Sequence, residues 1–514
     1  MKKGPFWFVC FEEKKGKTME KKRNGFGSSL GFILASAGSA VGLGNIWGFP
    51  YKTGANGGAA FVIVYVLFAL LLGIAGMTAE MFLGRRAEAN PITAFKKINE
   101  RLGFAGLLVI AIPFFIICYY AVLGGYTLRS AVSAITDIGK SFTEVEAGMN
   151  AFMSNPWLPA VCTVIFLALS VLIIMGGVQK GIEKASKVLM PILFFILLGV
   201  MIYSLCLGEG VKAGLDFYIL KADFKALGWT GVAAAMGQVF FSMSLGMGIM
   251  MVYGSYAGKE INLIRSAVQI SIIDTVIALM AGFAIFPAAY HFIEVEGVAA
   301  ADVGLGGFAL MFFTLPQVFA SLGTVGAIIG SFFFLMVGIA AVTSVVSLIE
   351  VVTQFVIQKF RVSRKKAAII PMVLAACISI PVSLSLGGHF SFVGFDLLTF
   401  FDEITNTVLM PLGALIACVC VGWAIPKKEY IGDVSKNASV ARVMYYITRY
   451  ITPVLILVVE VFGVVNNVTK NVSYWAVIAA ALLLVLAVET VYFMLLQGKN
   501  TGCNADELAL SEND

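Results

Sequence analysis

Long apolar stretches alternate with short polar segments along almost the whole chain. Runs near the ~20 residues that a helix needs to cross a bilayer recur about twelve times, centred near residues 40, 70, 118, 168, 197, 242, 276, 340, 376, 410, 453 and 485. Composition agrees, with 59% hydrophobic and 13% charged residues over 514 positions. The pattern predicts an all-α polytopic membrane protein, one bundle of about twelve transmembrane helices in contact with the lipid bilayer.

Two of the predicted spans contain residues that interrupt helices. Residues 37–45 read AGSAVGLGN, and residues 237–251 read GQVFFSMSLGMGIMM. A bilayer cannot satisfy freed backbone groups, so irregular backbone is tolerated there only where it lines a protein-enclosed site. Close helix packing through small residues is the alternative. Two such segments, five spans apart, favour a midplane binding site between repeated halves of the chain.

Basic residues concentrate in alternate loops. They cluster before the first span and after the second and eighth spans, at Lys14, Lys15, Lys17, Lys21, Lys22, Arg23, Arg85, Arg86, Lys96, Lys97, Lys359, Arg361, Arg364, Lys365 and Lys366. Cytoplasmic loops accumulate Lys and Arg. We therefore expect both termini in the cytoplasm, with residues 1–24 as a basic segment and 498–514 as an acidic tail. The net charge of +6 follows from this bias and indicates no nucleic-acid partner.

The sequence lacks the signatures of a membrane enzyme or a channel. It contains no HExxH, GxSxG, Walker loop or filter-like repeat. Two histidines are too few for a histidine-rich metal enzyme, and most of the eight cysteines lie in apolar spans without metal-ligand spacing. We predict that the protein is not an enzyme and has no catalytic residues.

Several motifs resemble one family of transporters. SAVGLGNIWGFPY, NGGAAF and AEMFLGRRA lie within residues 29–86, and GGVQKGIEKASKVLMP, QVFFSMSLGMG, TLPQVF, AAVTSVVSLIE and FDEITN follow. Together they resemble the bacterial amino-acid branch of the neurotransmitter:sodium symporter family. The resemblance implies a LeuT-like inverted repeat with spans 1 and 6 unwound mid-membrane. It implies a transporter domain at 25–497, with repeats at about 25–208 and 228–424 and extra spans at about 440–497.

The resemblance also implies a function and a location. We expect a sodium-coupled symporter of neutral hydrophobic L-amino acids, aliphatic to aromatic, working by alternating access in the bacterial inner (plasma) membrane. Gly42 supports an amino-acid substrate, because monoamine members carry an aspartate at the matching position. A sodium-coupled carrier of another small amine or osmolyte, and an amino-acid sensor that does not transport, remain alternatives. Whether the protein is a monomer or a homodimer stays open.

Matching to the family implies the substrate site. The substrate carboxylate is expected at the amides of Leu43 and Gly44, at sodium and at the Tyr120 hydroxyl. Ala40 and Ser242 also belong to this site, because they would link it to a sodium ion. The implied side-chain pocket is mostly apolar and comprises Ile116, Phe241, Ser244, Met247, Ser344, Ser347 and Leu348.

Two sodium sites are implied in the same way. The first uses the Ala40 carbonyl with the side chains of Asn45, Ser242 and Asp274, and the second uses the carbonyls of Gly38, Val41 and Ala340 with the hydroxyls of Thr343 and Ser344. Helical Ser and Thr hydroxyls more often bond back to the preceding turn. Tyr65, Gln238 and Ser242 retain parts of a family chloride site, but its fourth hydroxyl position is Ala278. We expect the Asp274 carboxylate to replace chloride, so that chloride is not required.

The gates depart from the family pattern. Relatives read WRFP after the first break, and their arginine meets an acidic residue in the tenth span. This chain has Gly48 and Thr405 at those positions, which leaves closure of the outer end to Tyr120 and Phe241, or to a substitute such as Lys52. At the cytoplasmic end Arg23, Phe26 and Tyr256 match inner-gate residues, but the acidic partner reads Gln358.

Overall fold

Helices form the regular secondary structure of the described residues, and no strand is assigned among them. The computed structural model describes residues 26–138, 140–297, 307–392 and 396–470. The predicted basic N-terminal segment with Arg23, the last predicted span and the acidic tail lie outside the described residues. The prediction of an all-α, multi-span protein is confirmed.

The helices that matter for the site are numbered in chain order. They are α1 (Ser29–Ala40), α2 (Gly44–Ala55), α3 (Ala59–Ala87), α4 (Glu100–Thr136), α5 (Phe142–Met153), α6 (Leu158–Met175), α7 (Gly181–Leu205), α8 (Phe224–Ser242), α9 (Ile249–Gly254), α10 (Leu263–Val295), α11 (Leu310–Ser321), α12 (Gly323–Phe360), α13 (Arg364–Leu386), α14 (Leu397–Ala424), α15 (Lys427–Val434) and α16 (Ala438–Val461). Short helices such as Pro91–Lys96 connect them.

The number of membrane spans is consistent with the sequence pattern. Nine helices of the described residues are long and apolar enough to cross a membrane, and α1 with α2 forms a tenth span, bent by 45°. The interrupted pair α8 and α9 coincides with the predicted span near residue 242, whereas the predicted span near residue 485 lies outside the described residues, so the count of twelve stays a prediction.

The interrupted helices lie in the interior of the bundle. Residues of α1 are buried against α7, α10 and α12, and α12 packs along α4. By contrast, α6, α7 and α13 expose large apolar side chains such as Leu172, Phe195 and Leu374. Exposed apolar bands of this kind suit contact with lipid. The outer helices therefore shield a central region in which broken backbone is tolerated.

Candidate functional site

The first break separates α1 from α2 at residues 41–43. Val41 leaves the helical conformation with φ −74° and ψ 100°. The Leu43 N–H donates to Tyr120 Oη at 2.8 Å, and the Gly42 N–H donates to Asn45 Oδ1 at 3.1 Å. These contacts satisfy two of the backbone donors that the break sets free. The break is thus fixed by Asn45 in the first turn of α2 and by Tyr120 on α4.

The second break lies between Ser242 and Ile249. Ser244, Gly246 and Gly248 adopt left-handed backbone with φ of 56°, 77° and 75°. At Gly246 a Cβ atom would lie 2.0 Å from the Met410 carbonyl oxygen, so this position requires glycine. The Gly246 N–H donates to Oε1 of the buried Glu80 at 2.6 Å. Glu80, on α3, therefore holds the unwound segment, and the sequence analysis did not single it out.

A buried polar cluster connects the two breaks. The Asp274 carboxylate accepts hydrogen bonds from Asn45 Nδ2 at 2.8 Å, from Ser242 Oγ at 2.8 Å and from Tyr65 Oη at 3.1 Å. All four side chains are fully buried. Among the described residues Asp274 forms no ion pair. A buried carboxylate with only neutral partners is costly, and a bound cation would compensate its charge.

Hydroxyl groups from the second break, just before α9, and from α12 lie close to the C-terminal end of α1. Ser244 Oγ and Ser344 Oγ both donate to the Ser39 carbonyl oxygen at 3.1 Å. Thr343 Oγ1 donates to the Ala340 carbonyl at 2.9 Å, which is the bond back to the preceding turn considered above. Each hydroxyl oxygen keeps lone pairs while it donates. The sequence assigns oxygens of α1 and α12 to the second sodium site. The contacts between Ser39 and Ser344 bring these two helices next to each other.

A cavity lies between the two breaks, α4 and α12. It has about 270 Å³ of empty space and is lined by Ser39, Ala40, Gly44, Ile116, Tyr120, Phe241, Ser244, Met247, Ile249, Ser344 and Leu348. The rings of Tyr120 and Phe241 lie 6.3 Å apart, centroid to centroid. None of these lining residues has a charged side chain. Small-molecule sites are commonly apolar hollows with a few convergent polar groups.

The structure brings nine of the twelve predicted substrate residues to this cavity. Leu43, Ser242 and Ser347 are the exceptions. Leu43 donates its N–H to Tyr120, and Ser242 belongs to the Asp274 cluster. Ser347 Oγ lies 2.7 Å from the Tyr253 hydroxyl. Ser39 and Ile249 also line the cavity and were not predicted, although Ser39 lies beside Ala40 and Ile249 directly follows Gly248.

At the α2 end of the cavity, an acidic residue that was not predicted lies near the predicted gate positions Gly48 and Thr405. Gly48 faces the Gln238 side chain, whose Nε2 donates to the Gly44 carbonyl at 2.6 Å. Thr405 Oγ1 donates to the carbonyls of Phe401 and Asp402 in its own helix. Three residues before it, Asp402 accepts from Tyr51 Oη at 3.1 Å. An acidic residue of α14 thus faces α2 here, in a different position from the family pattern.

The opposite end, beside the start of α1, contains an ion pair whose carboxylate is buried. Phe26 packs edge-on against Tyr253 and Tyr256, with ring centroids 5.6 and 6.4 Å apart. Tyr256 Oη donates to Glu350 Oε1 at 3.1 Å, and Arg364 forms an ion pair with the same carboxylate. Gln358 instead accepts from Asn90. The acidic group at this end is therefore Glu350, eight positions before the residue that motif matching indicates.

Comparisons with known proteins agree with this arrangement. The chain matches the family model described as Sodium:neurotransmitter symporter family over residues 23–150 and 138–499. It is 34% identical over 451 residues to the uncharacterized sodium-dependent transporter YhdH of Bacillus subtilis, covering 86% of this chain and 97% of that protein. It is 24% identical over 553 aligned positions to the human sodium- and chloride-dependent neutral and basic amino acid transporter B(0+), covering 90% of this chain and 85% of that protein.

A solved structure shares the fold. The crystal structure of MhsT in complex with L-phenylalanine is similar with a TM-score of 0.79 and 38% sequence identity. The similarity covers 86% of this chain and 100% of the MhsT chain.

Proposed function

Because the chain belongs to the sodium:neurotransmitter symporter family, we propose that it carries neutral hydrophobic L-amino acids, aliphatic to aromatic, together with sodium. At the coarser level it is a sodium-dependent membrane transporter and not an enzyme. The observation that carries the proposal is the uncharged, mostly apolar cavity at the two broken helices.

The cavity has complementary ends for an amino-acid zwitterion. A helix N-terminus favours negative charge and a helix C-terminus favours positive charge. The α2 N-terminus, with the Gly44 amide and the Tyr120 hydroxyl to which the Leu43 amide donates, suits the carboxylate, and the α1 C-terminus at Ser39 and Ala40 suits the ammonium. Ile116, Phe241, Met247, Ile249 and Leu348 supply apolar surface for the side chain. A charged substrate side chain would find no opposite charge among these residues.

Sodium is assigned to the two predicted sites. Ala40, Asn45, Ser242 and Asp274 supply the oxygens of the first, and the substrate carboxylate completes it, which couples ion and solute. Gly38, Val41, Ala340, Thr343 and Ser344 supply the second. Oxygen ligands suit hard cations. The uncompensated, fully buried Asp274 carboxylate supports the first site.

The proposed orientation places the Glu350 end in the cytoplasm. Lys359, Arg361, Arg364, Lys365 and Lys366 lie at or beside this end. Loops rich in Lys and Arg stay on the cytoplasmic side. The Lys52 end then faces outward, both termini are cytoplasmic, and the membrane is the plasma membrane.

The test is binding of radiolabelled L-phenylalanine to the purified full-length protein, in sodium chloride, sodium gluconate and choline chloride. We expect saturable binding in both sodium buffers and none in choline, with competition by leucine and methionine but not by glutamate or lysine. Counterflow of the label in proteoliposomes then separates a carrier from a sensor. Binding that is independent of sodium, or displaced by glutamate or lysine and not by leucine, would overturn the proposal.

Replacing the Asp274 carboxylate should create a need for chloride. Asp274→Asn keeps the size and shape of the side chain beside Asn45, Ser242 and Tyr65 but removes the negative charge and one acceptor oxygen. We expect phenylalanine binding by this variant to fall at least about tenfold in gluconate, which corresponds to ~1.4 kcal/mol, and to recover in chloride. Wild-type protein should bind equally in both salts. Equal binding by Asp274→Asn in the two salts would contradict the role of the carboxylate as resident anion.

A further inference from the structure

Lys52 is a buried cation whose charge has no ion-pair partner among the described residues. The side chain is 7% exposed, near the α2 end of the cavity. Its Nζ lies 3.5 Å from Asn406 Oδ1, and 5.6 and 5.8 Å from the ring centroids of Tyr51 and Phe241. Burial of a cation is unfavourable without compensation. An amide oxygen and two aromatic faces therefore take the place of a carboxylate contact.

A buried anion lies on the other side of the same amide. Asp402 is 8% exposed and accepts from Asn406 Nδ2 at 2.7 Å and from Tyr51 Oη at 3.1 Å. Asn406 thus donates to the anion through its nitrogen and accepts from the cation through its oxygen. Tyr51 and Lys52 come from α2, whereas Asp402 and Asn406 come from α14. The four residues join these two helices through one continuous polar connection.

This polar connection lies directly beside the lid of the cavity, by which we mean the rings of Tyr120 and Phe241. Phe241 lines the cavity opposite Tyr120, and the Lys52 ammonium packs against the Phe241 ring. Lys52 itself does not line the cavity, so it acts on the substrate through Phe241. Moving α2 away from α14 would break the Lys52 and Tyr51 contacts together and release the ring.

We propose that Lys52, bridged to Asp402 by Asn406, is a positioning residue that clasps α2 to α14 and holds Phe241 closed over the substrate. The clasp sets how fast substrate leaves toward the Lys52 end. Its role in transport rests on the function and orientation proposed above. Tyr51 provides a second contact of the clasp between α2 and α14, because its hydroxyl donates to the Asp402 carboxylate.

The first measurement is the rate at which labelled phenylalanine dissociates from purified protein in sodium chloride. We expect Lys52→Met to raise this rate about tenfold, since it removes a buried cation–π contact and an amide contact. Lys52→Arg should raise the rate less than Lys52→Met, because the positive charge remains although the shape of the side chain changes. Asn406→Leu should act like Lys52→Met, and the double variant should be no faster than either, because the two residues share one connection. Lys221→Met is the matched control, since Lys221 is 75% exposed and pairs with Asp216.

The second measurement does not need phenylalanine to bind. Leu348→Cys places a thiol in the cavity beneath the lid, and a membrane-impermeant thiol reagent is added to intact cells in sodium, with labelling followed at that peptide by mass spectrometry. We expect Lys52→Met to raise the labelling rate about tenfold over the Leu348→Cys parent. Faster labelling supports the clasp even if phenylalanine proves not to be a substrate, which would count against the proposed function alone. Unchanged labelling overturns the clasp, even if Lys52→Met lowers the affinity for phenylalanine.

Discussion

Replacing Gly42 by alanine is expected to abolish high-affinity, sodium-dependent phenylalanine binding. A Cβ atom at position 42 would lie 2.0 Å from Ser344 Oγ and 2.8 Å from Tyr120 Oη. Both hydroxyls are engaged, one with the Ser39 carbonyl and the other with the Leu43 N–H. Overpacking of this kind costs about 1–3 kcal/mol, and at the upper end this weakens binding about a hundredfold. Equilibrium binding of the labelled amino acid measures the effect.

Gly199→Ala provides the matched control for this prediction. Gly199 lies in α7, and no atom beyond its chain neighbours and the adjacent backbone of its own helix lies within 4 Å of a Cβ built there. The same chemical change should therefore leave binding unaltered, since alanine is the better helix former. Adding Ser344→Ala to Gly42→Ala removes the nearest clashing atom together with a proposed sodium ligand, so the double variant should bind no better than Ser344→Ala alone. Wild-type affinity in Gly42→Ala alone would contradict the close approach of α1 and α12.

The two helix breaks could be predicted from sequence because glycine at mid-membrane has a physical cost. A Cβ atom at Gly42 or at Gly246 would lie only 2.0 Å from an atom of a neighbouring element, which is a steric clash. The spacing of apolar runs likewise predicts the helices, whose length follows from bilayer thickness. These features are local, so a single sequence contains them.

The contacts at the two ends of the cavity could not be predicted in this way. Glu350 and Arg364 are fourteen positions apart on different helices, and their pairing depends on how α12 and α13 rotate and slide against each other. Arg364 also belongs to a basic loop, where topology accounts for it without any partner. Motif matching indicated Gln358, which the structure places against Asn90. Asp402 was missed for the same reason, because Tyr51 reaches it from a distant helix.

The side chains that would close the two ends of the cavity differ in their chemistry. At one end Tyr120 and Phe241 cover the cavity beside the Lys52 clasp. At the other end Phe26, Tyr253 and Tyr256 pack together above the Glu350 and Arg364 pair. Alternating access requires each closure to break while the other holds, so each must be worth only a few kcal/mol. Neutralising one closure should therefore shift the balance between states rather than unfold the protein.

Glu350→Gln tests the closure at the proposed cytoplasmic end. Glu350 is fully buried, and its carboxylate receives both Tyr256 Oη and the Arg364 guanidinium. Removing one partner of a buried ion pair costs about 3–5 kcal/mol. We expect the protein to open at this end, with sodium-driven phenylalanine uptake into proteoliposomes falling at least about a hundredfold. The apparent binding affinity should fall as well, because the closed state that retains substrate becomes a minor population.

A matched ion pair and a compensating variant separate this effect from a general loss of charge. Arg86 and Glu429 form an ion pair with side chains 27% and 41% exposed, and exposed pairs contribute little. Glu429→Gln should therefore transport like the wild type. Combining Glu350→Gln with Arg364→Gln removes the unpaired guanidinium and should recover part of the lost uptake, since the cost comes mainly from the charge left without a partner. Full uptake by Glu350→Gln alone would show that this ion pair does not hold the cytoplasmic end closed.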